Sequence, residues 1–237
     1  MSERAPHLSL SMKHQLGALK LDVAFDLTQP WTVLFGPSGS GKSTILRAIA
    51  GLVRPDEARI VLRWNGNEMV ATDTAGGVFV PPHRRAARWS AQRPALFPNM
   101  TVRENLRMVV EDDGAAERAL ERFQLGRFAK SKPARLSGGE QQWVSLARAA
   151  VASNGRLLLL DEPFSGLDTA LKVELLEALR GWLKEHGTPV LSVTHDVGEA
   201  FQLGGDVLRL SGGRIAQQGP VAEVLAEERK RLLALLR

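Results

Sequence analysis

The sequence contains no cysteine and no tyrosine, and it has no long apolar run. Without cysteine, a disulfide framework and a thiolate metal site are both excluded. No stretch approaches 18 apolar residues, so the sequence predicts no membrane-spanning helix. The N-terminal residues lack the apolar centre of a signal peptide, which makes the cytoplasm the expected compartment. The 237 residues are 44% hydrophobic and 24% charged, as expected of one large globular domain or one domain with an insertion.

The positive charge is concentrated in one part of the chain. The net charge is +5, and residues 81–135 contain 12 Lys or Arg against 6 Asp or Glu. This basic segment has neither a nucleic-acid-binding motif nor a row of stacking aromatic residues, so we predict no nucleic-acid partner. A solvated basic helix face, an acidic partner and a nearby lipid surface are all consistent with it.

Two kinds of apolar pattern, alternating and continuous, predict the strands of a sheet. Leu21–Leu27 alternates apolar with polar or small residues, which is typical of a half-buried strand. Trp31–Phe35, Leu157–Leu160 and Val190–Val193 are continuous apolar runs, typical of strands buried on both faces. Residues 68–90 contain two consecutive prolines, and we expect them to form loops.

Helical spacing occurs between these strands. We predict helices over Lys42–Ala50 and about residues 170–185, and a helical pattern over Val102–Leu125 that is broken at Gly114. Strands that alternate with helices favour an α/β fold, here with a helical insertion near residues 93–135.

A glycine-rich loop follows the strand that ends at Phe35. Its sequence, Gly36-Pro37-Ser38-Gly39-Ser40-Gly41-Lys42-Ser43-Thr44, fits the phosphate-binding loop motif, with a strand before it and a helix after it. The backbone N–H groups of such a loop hold phosphates, the lysine reaches the outer phosphates, and the serine hydroxyl is a ligand for Mg²⁺. The motif therefore predicts a nucleoside triphosphate site.

Polar residues follow two of the buried strands. Asp161 and Glu162 come directly after Leu157–Leu160, and His195 follows the strand at Val190–Val193. An open α/β sheet binds its ligands at the carboxyl ends of its strands. We predict that Asp161 holds Mg²⁺ through water, that Glu162 orients the attacking water, and that His195 contacts the γ-phosphate. Gln92, in a loop before the helical insertion, is a further candidate for contact with Mg²⁺ or water.

A second glycine-rich helix start lies at Ser137-Gly138-Gly139-Glu140. Ser137 and Glu140 have the spacing of a capping box. Each glycine costs about 1 kcal/mol relative to alanine inside a helix, whereas glycines at a helix N-terminus let an anion approach the backbone. One chain thus carries two apparent phosphate-binding segments.

Taken in order, these motifs resemble the nucleotide-binding subunits of ABC transporters. The resemblance rests on "GPSGSGKST", Gln92, "LSGGEQQ", "LLLLDEP", "SGLD" and His195, and it covers essentially the whole chain. It implies a P-loop NTPase fold with a RecA-like α/β core, N-terminal antiparallel strands and an α-helical signature subdomain. It also implies a single domain over residues 1–237, with the helical subdomain at about 93–150 and no C-terminal regulatory domain.

The resemblance further implies ATP and Mg²⁺ as ligands of a head-to-tail homodimer, in which Ser137, Gly138 and Gly139 face the nucleotide held by the partner. Glu162, His195 and Gln92 would then be catalytic, and Ser43, Gln92 and Asp161 would hold the metal. The nucleotide-binding residues would be Gly36, Pro37, Ser38, Gly39, Ser40, Gly41, Lys42, Ser43, Thr44, Ser137, Gly138, Gly139 and Asp168.

The chain departs from the family at two points. The aromatic residue that usually stacks on adenine is missing, because the equivalent loop offers Leu16 and His14, and Phe25 shares the register of core residues. Trp143 stands where the family commonly has arginine, and the sequence offers no account of it.

Among importers, "HQLGALKLDVAFDL" and residues 78–106 are similar to molybdate importer subunits. This similarity implies an ATPase on the cytoplasmic face of the inner membrane that powers uptake through a separate permease. A periplasmic or extracellular solute-binding protein would be an indirect partner. A soluble ABC ATPase of iron–sulfur cluster assembly is the alternative, since it would share every catalytic motif.

Overall fold

A computed structural model describes residues 7–110 and 112–235. An antiparallel sheet occupies the N-terminal part of the chain, with strand order β2-β1-β4-β5-β6. Its strands are β1 (Leu8–Leu16), β2 (Leu19–Leu27), β4 (Glu57–Trp64), β5 (Asn67–Asp73) and β6 (Val78–Phe79).

A six-stranded sheet forms the centre of the fold, with order β11-β10-β3-β9-β8-β7. All neighbours in it are parallel except the pair β10 and β11. Its strands are β3 (Trp31–Phe35), β7 (Ala87–Ser90), β8 (Leu157–Asp161), β9 (Val190–Thr194), β10 (Asp206–Ser211) and β11 (Arg214–Pro220). Strands β3, β8 and β9 are buried throughout, as their continuous apolar runs predicted.

Helices connect the strands and cover the central sheet. Their bounds are α1 (Lys42–Ala50), α2 (Val102–Arg107), α3 (Asp113–Arg122), α4 (Gly138–Ser153), α5 (Thr169–Glu185), α6 (Val197–Leu203), α7 (Val221–Val224) and α8 (Ala226–Leu235). The predictions of α1 and α5 are confirmed. In the part of the chain that the structure describes, no helix is long and apolar enough to cross a membrane.

The expectation of loops over residues 68–90 is wrong. This stretch contains most of β5 and all of β6 and β7. Asn65 and Gly66 both have positive φ, 47° and 76°, and they close a tight hairpin between β4 and β5. Asn-Gly is the preferred pair for such a turn, so the signal was present in the sequence.

The position of the break in the 102–125 helix pattern is also wrong. Helix α2 ends at Arg107, and α3 begins at Asp113, so Gly114 lies in the first turn of α3. The carboxylate of Asp112 accepts the Gly114 N–H at 2.8 Å and thereby caps the helix. A capping residue, rather than a helix-breaking glycine, therefore sets this boundary.

The helical segment between β7 and β8 shares one apolar core with a face of the central sheet. Leu106 of α2, Phe123 at the end of α3, and Trp143 of α4 are buried in one cluster. The same cluster contains Val33 and Leu160 of the sheet. Trp143, which stands where the family commonly has arginine, is 1% exposed and packs in this core. The opposite face packs on α1 and on the antiparallel sheet, where Phe25 is buried as predicted.

Candidate functional site

The loop from Gly36 to Gly41 connects β3 to α1 and needs glycine for two different reasons. Gly39 and Gly41 have φ of 77° and 97°, in the left-handed region that other residues seldom adopt. A Cβ atom on Gly36 would lie 2.7 Å from the carbonyl oxygen of Leu210 in the neighbouring strand. Glycine at these positions lets the loop follow a course in which its backbone N–H groups can face an anion.

Lys42, the first residue of α1, folds back over this loop. Its Nζ donates hydrogen bonds to the carbonyl oxygens of Gly36 and Pro37, each at 2.8 Å. Burial lowers the pKa of Lys42, and the nearby carboxylates of Glu162 and Asp161 oppose that shift. The ammonium is thus held at the mouth of the loop, where phosphate oxygens would be stronger acceptors than the two carbonyls.

Ser43 and Asp161 bring α1 and the end of β8 together. The Ser43 hydroxyl donates to Asp161 Oδ1 at 2.9 Å. Burial raises the pKa of Asp161, the Ser43 hydrogen bond opposes that rise, and the charge of Glu162 adds to it. A hydroxyl beside a buried carboxylate is a pair of hard oxygen ligands, which suits Mg²⁺. Both residues were predicted as metal ligands, and the fold places them in contact.

Glu162 follows in a left-handed backbone conformation, with φ of 46°, which is uncommon outside glycine. Its N–H donates to the carbonyl oxygen of Val193 at 3.1 Å, so the turn is fixed against β9. Gln92 Nε2 donates to Glu162 Oε2 at 2.9 Å, and His195 Nδ1 lies 3.0 Å from Glu162 Oε1. The three predicted catalytic residues, which come from three separate segments, therefore meet around one carboxylate.

Except for Asp161, which is buried behind Ser43, these side chains line an open cleft of about 380 Å³ at the carboxyl ends of the central strands. Its lining residues are Leu16, Ser38, Gly39, Gly41, Lys42, Ser43, Thr44, Gln92, Glu162 and His195. Of the other predicted loop residues, Gly36 and Pro37 supply the carbonyls bound by Lys42, and Ser40 is buried in the loop.

Leu16, at the end of β1, lines the cleft. The sequence offered both Leu16 and His14 in the loop where the family usually has an aromatic residue, without distinguishing between them. Leu16 is 42% exposed, whereas His14 is directed to Asp56, with 3.3 Å between His14 Nδ1 and an Asp56 carboxylate oxygen. An exposed leucine beside a phosphate-binding loop offers an apolar surface that a flat base would cover.

The Ser137 segment and Asp168 are not among the residues that line this cleft. The capping box is present: Ser137 N donates to Glu140 Oε2 at 2.8 Å, and Glu140 N donates to Ser137 Oγ at 3.3 Å. Asp168 caps α5 by accepting the Leu171 N–H at 2.9 Å. Both segments therefore have local structural roles within one chain, and their contact with nucleotide stays a prediction.

The two glycines after Ser137 differ in their surroundings. A Cβ on Gly139 would lie 3.2 Å from Leu171 Cδ2, so close packing against the start of α5 restricts this position. A Cβ on Gly138 would meet nothing within 4 Å. Packing in one chain thus explains Gly139 and does not explain Gly138.

Gln142 is a contact that sequence reasoning missed. Its Nε2 donates to the carbonyl oxygen of Pro163 at 3.0 Å, and the residue is 4% exposed. The bond links α4 to the turn that follows Glu162. Only the tertiary fold brings these two residues together, so no local sequence signal could have indicated it.

Comparison with known proteins agrees with this geometry. Residues 22–165 match the family described as ABC transporter. The chain is 39% identical over 240 residues to the molybdenum import ATP-binding protein ModC of Rhizobium etli, covering 97% of this chain and 66% of that protein. It is 40% identical over 225 residues to the molybdate/tungstate import ATP-binding protein WtpC of Archaeoglobus fulgidus, covering 92% and 89%.

A third relative is named for a different solute. The Fe(3+) ions import ATP-binding protein FbpC of Mesorhizobium japonicum is 40% identical over 225 residues, covering 92% of this chain and 60% of that protein. The sequence thus spans about two thirds of the length of the R. etli protein and of this relative. These three relatives are named for import, so they give no support to the iron–sulfur assembly alternative.

A solved structure shares the fold. It is a dimeric, post-hydrolysis ATP-binding cassette bound to ADP and Pi, with a TM-score of 0.71, 26% identity, and coverage of 90% of this chain and 98% of that one. The chain combines a phosphate-binding loop, two carboxylates at the end of β8, and a helix, α4, that begins with two glycines after Ser137. With the family match over residues 22–165, these features show that this chain belongs to the ABC transporter family, as an ATP-binding cassette.

Proposed function

We propose that this chain is the ATP-hydrolysing subunit of an importer for an oxyanion of the molybdate class. It works as a homodimer on the cytoplasmic face of the membrane, beneath a separate permease that receives solute from a binding protein outside. The observation that carries the hydrolytic part of the proposal is the position of Glu162, held between Gln92 and His195 at the mouth of the phosphate loop.

In this proposal Glu162 orients and polarises the attacking water. Its carboxylate is 19% exposed, so it is shielded but reachable from the cleft. The hydrogen bond from Gln92 holds one oxygen, and the other faces His195, whose ring is 53% exposed and has a second nitrogen for the γ-phosphate. Phosphoryl transfer depends mainly on positioning and charge stabilisation, and these residues supply the positioning.

Ser43 and Asp161 would hold Mg²⁺, with Gln92 as a further ligand through its amide oxygen. When bound, the cation neutralises charge on the β- and γ-phosphates. The fit rests on the 2.9 Å contact of two oxygen ligands, one of them a buried carboxylate that forms no salt bridge with a described side chain. Lys42, released from the carbonyls of Gly36 and Pro37, would bind the outer phosphates.

A second copy of the chain would complete each cleft. Ser137, Gly138, Gly139 and Asp168 lie outside the cleft of their own chain, and Gly138 has open space where a side chain would be. Two copies related by a two-fold axis would place the start of α4 in each chain against the nucleotide of the other. The dimeric solved relative supports this arrangement.

The loop after Gln92 is the proposed contact with the permease. Phe97 is 44% exposed, and its backbone N–H and carbonyl are both bound by the side chain of Asn105, which is fully buried. Arg148 lies over the Phe97 ring, 5.2 Å from its centroid. An exposed apolar side chain on a rigidly held backbone, beside a cation, has the make-up of an interface anchor.

Uptake assays distinguish the parts of this proposal. Cells that carry the wild-type chain, and cells that carry Lys42→Ala, are given molybdate, tungstate, sulfate or ferric iron. We expect loss of molybdate and tungstate uptake in the variant only, and co-purification of a polytopic membrane protein with the wild type. Loss of iron uptake alone in the variant would contradict the oxyanion assignment. Uptake that does not need ATP, seen as unchanged uptake in the Lys42→Ala cells, would contradict the whole proposal.

A further inference from the structure

A second cleft lies at the opposite edge of the central sheet from the phosphate loop. We call it the basal cleft; it has a volume of about 600 Å³. Arg88, the second residue of β7, and Arg156, which directly precedes β8, line it near the amino ends of these parallel strands. Its walls come from the segment after α2, the start of α3, and the C-terminal ends of α4 and α5.

The two arginines form a like-charged pair. Burial lowers the pKa of Arg88, and the positive charge of Arg156 lowers it further. Arg88 Nη1 donates to the carbonyl oxygens of Arg85 and Ala87, at 3.0 and 2.9 Å, which fixes the guanidinium in place. Among described side chains, no carboxylate forms an ion pair with Arg88 or Arg156.

Asp112, the described carboxylate that lines the cleft, already has two partners. Asp112 lies 3.2 Å from Arg118 Nη2 and accepts the Gly114 N–H at the start of α3. These bonds lower the pKa of Asp112, so it is ionised and paired at neutral pH. The described side chains around the basal cleft therefore carry an excess of two positive charges. Partly buried cations without a counter-ion are costly, and a bound anion would remove that cost.

The rest of the basal cleft is apolar. Met108 is 55% exposed, and Val109, Val151 and Trp182 add further apolar surface. His186 stacks on Trp182, with ring centroids 4.3 Å apart, and its Nδ1 lies 2.8 Å from the Trp182 carbonyl oxygen. A cleft of this size, with a few charged groups in an otherwise apolar lining, is typical of sites for small organic molecules.

We propose that the basal cleft binds a small phosphate monoester with an apolar body. A phosphate dianion matches the two positive charges, and its three terminal oxygens can be shared by the two guanidinium groups. The apolar body would lie against Met108 and the aliphatic wall. This site is separate from the nucleotide cleft, and the proposal does not depend on the ATP hydrolysis proposed above.

Calorimetric titration with phenyl phosphate tests the proposal. The wild-type protein is first saturated with ADP, because the phosphate loop would otherwise also bind the probe. We expect one further saturable site, with weaker binding at higher salt because its main contacts are electrostatic. Inorganic phosphate should bind more weakly than phenyl phosphate, since it lacks the apolar body, and benzoate should also bind more weakly, since it carries a single charge.

Substitutions locate the site. Arg156→Gln removes one cation whose side chain makes no hydrogen bond to another described residue, and it should weaken phenyl phosphate binding by roughly tenfold or more. Met108→Asp changes an exposed residue, so folding should be retained, and its negative charge should weaken binding similarly. Arg231→Gln, an equal change of charge on exposed α8, should leave the affinity unchanged. Circular dichroism establishes that each variant is folded.

Three results would overturn the proposal. The first is no saturable binding up to about 10 mM, a concentration at which even weak sites fill. The second is binding that occurs in the nucleotide-free protein and disappears in the ADP-saturated protein, which would assign it to the nucleotide cleft. The third is wild-type affinity in folded Met108→Asp and Arg156→Gln.

Discussion

The carboxylate of Glu162 is contacted on both oxygens, by Gln92 Nε2 at 2.9 Å and by His195 Nδ1 at 3.0 Å. Gln92 lies in the loop that leads to Phe97 and the proposed permease contact, and His195 lies at the end of β9. A shift of either segment therefore changes the position of the same carboxylate. This geometry offers a direct physical route by which an event at the loop after Gln92 could alter hydrolysis.

Replacing Glu162 by glutamine should separate binding from turnover. The amide keeps the shape but loses the negative charge that polarises water, so we expect turnover to fall by roughly 10²–10⁴-fold. Nucleotide affinity should change little, because Lys42 and the loop backbone are intact. Steady-state phosphate release and equilibrium ATP binding measure the two quantities. Glu185→Gln removes an exposed carboxylate elsewhere and should behave as the wild type; near-normal turnover by Glu162→Gln would exclude Glu162 as the water-orienting residue.

Leu16 should contribute to nucleotide affinity through apolar contact with the base. Leu16→Ala should weaken ATP binding by roughly three- to tenfold, the effect of losing part of one apolar contact. Because leucine makes no hydrogen bond to a base edge, GTP binding should weaken by a similar factor. Leu16→Trp should tighten both. Fluorescent-nucleotide titration measures this, and Leu52→Ala, at another exposed leucine, is the matched control. Unchanged affinity in Leu16→Ala would remove the base-contact assignment.

Arg85 should be essential for stability. It is 1% exposed, and its guanidinium donates to the carbonyl oxygens of Val80, Ala48 and Ile49 and to the Thr72 hydroxyl. Arg85→Ala leaves these buried acceptors without donors and opens a cavity, which should lower the free energy of unfolding by at least about 3 kcal/mol.

The adjacent Arg84 provides the control for that measurement. It is exposed, so Arg84→Ala should change the free energy of unfolding by less than about 0.5 kcal/mol. Urea titration at constant pH compares the two variants. Equal effects at both positions would show that Arg85 does not hold the two sheets and α1 together.

Glu199 should make stability depend on pH. It is 6% exposed, and burial raises its pKa from 4.5 to about 7, with Lys172 opposing the shift and Asp196 adding to it. The folded state therefore holds this proton more tightly than the unfolded chain does. The stabilisation from the protonated form is complete below pH 4.5 and is lost as the pH rises to about 7.

The loss amounts to about 3 kcal/mol as an order of magnitude, from 1.36 kcal/mol per pH unit over that interval. Glu199→Gln cannot ionise, so its stability relative to the wild type should rise between these pH values and then level off. Glu177→Gln, at an exposed position on α5, should show no such trend. Parallel pH profiles for wild type and Glu199→Gln would contradict the raised pKa.

Much of the nucleotide cleft could be predicted from sequence because its parts are local. The loop from Gly36 to Thr44 is contiguous, and Asp161 and His195 follow continuous apolar strands whose carboxyl ends must share an edge. The strands over residues 67–90 could not be predicted as easily, because their burial is partial and prolines interrupt them. The basal cleft was also missed, since Arg88 and Arg156 meet only through the pairing of β7 with β8.

The roles of Ser137, Gly138, Gly139 and Asp168 differ in kind from these. The helix caps at Ser137 and Asp168 and the close packing at Gly139 are visible in one chain, whereas any contact with nucleotide needs a second copy. The open space beside Gly138 is the structural feature that such a copy would fill. The contact of these four residues with nucleotide therefore stays a prediction about a dimer.

Mixing two inactive variants is the most direct test of the central claim, that two chains share each ATP site. Lys42→Ala damages the phosphate loop, and Ser137→Arg blocks the start of α4, so either homodimer has both of its sites inactivated. The mixed dimer has one site damaged on both sides and one site intact. We expect ATP hydrolysis by the mixture to exceed that of either variant alone. If both variants are folded and dimerise, and the mixture hydrolyses no more ATP than the variants do separately, the shared site is contradicted.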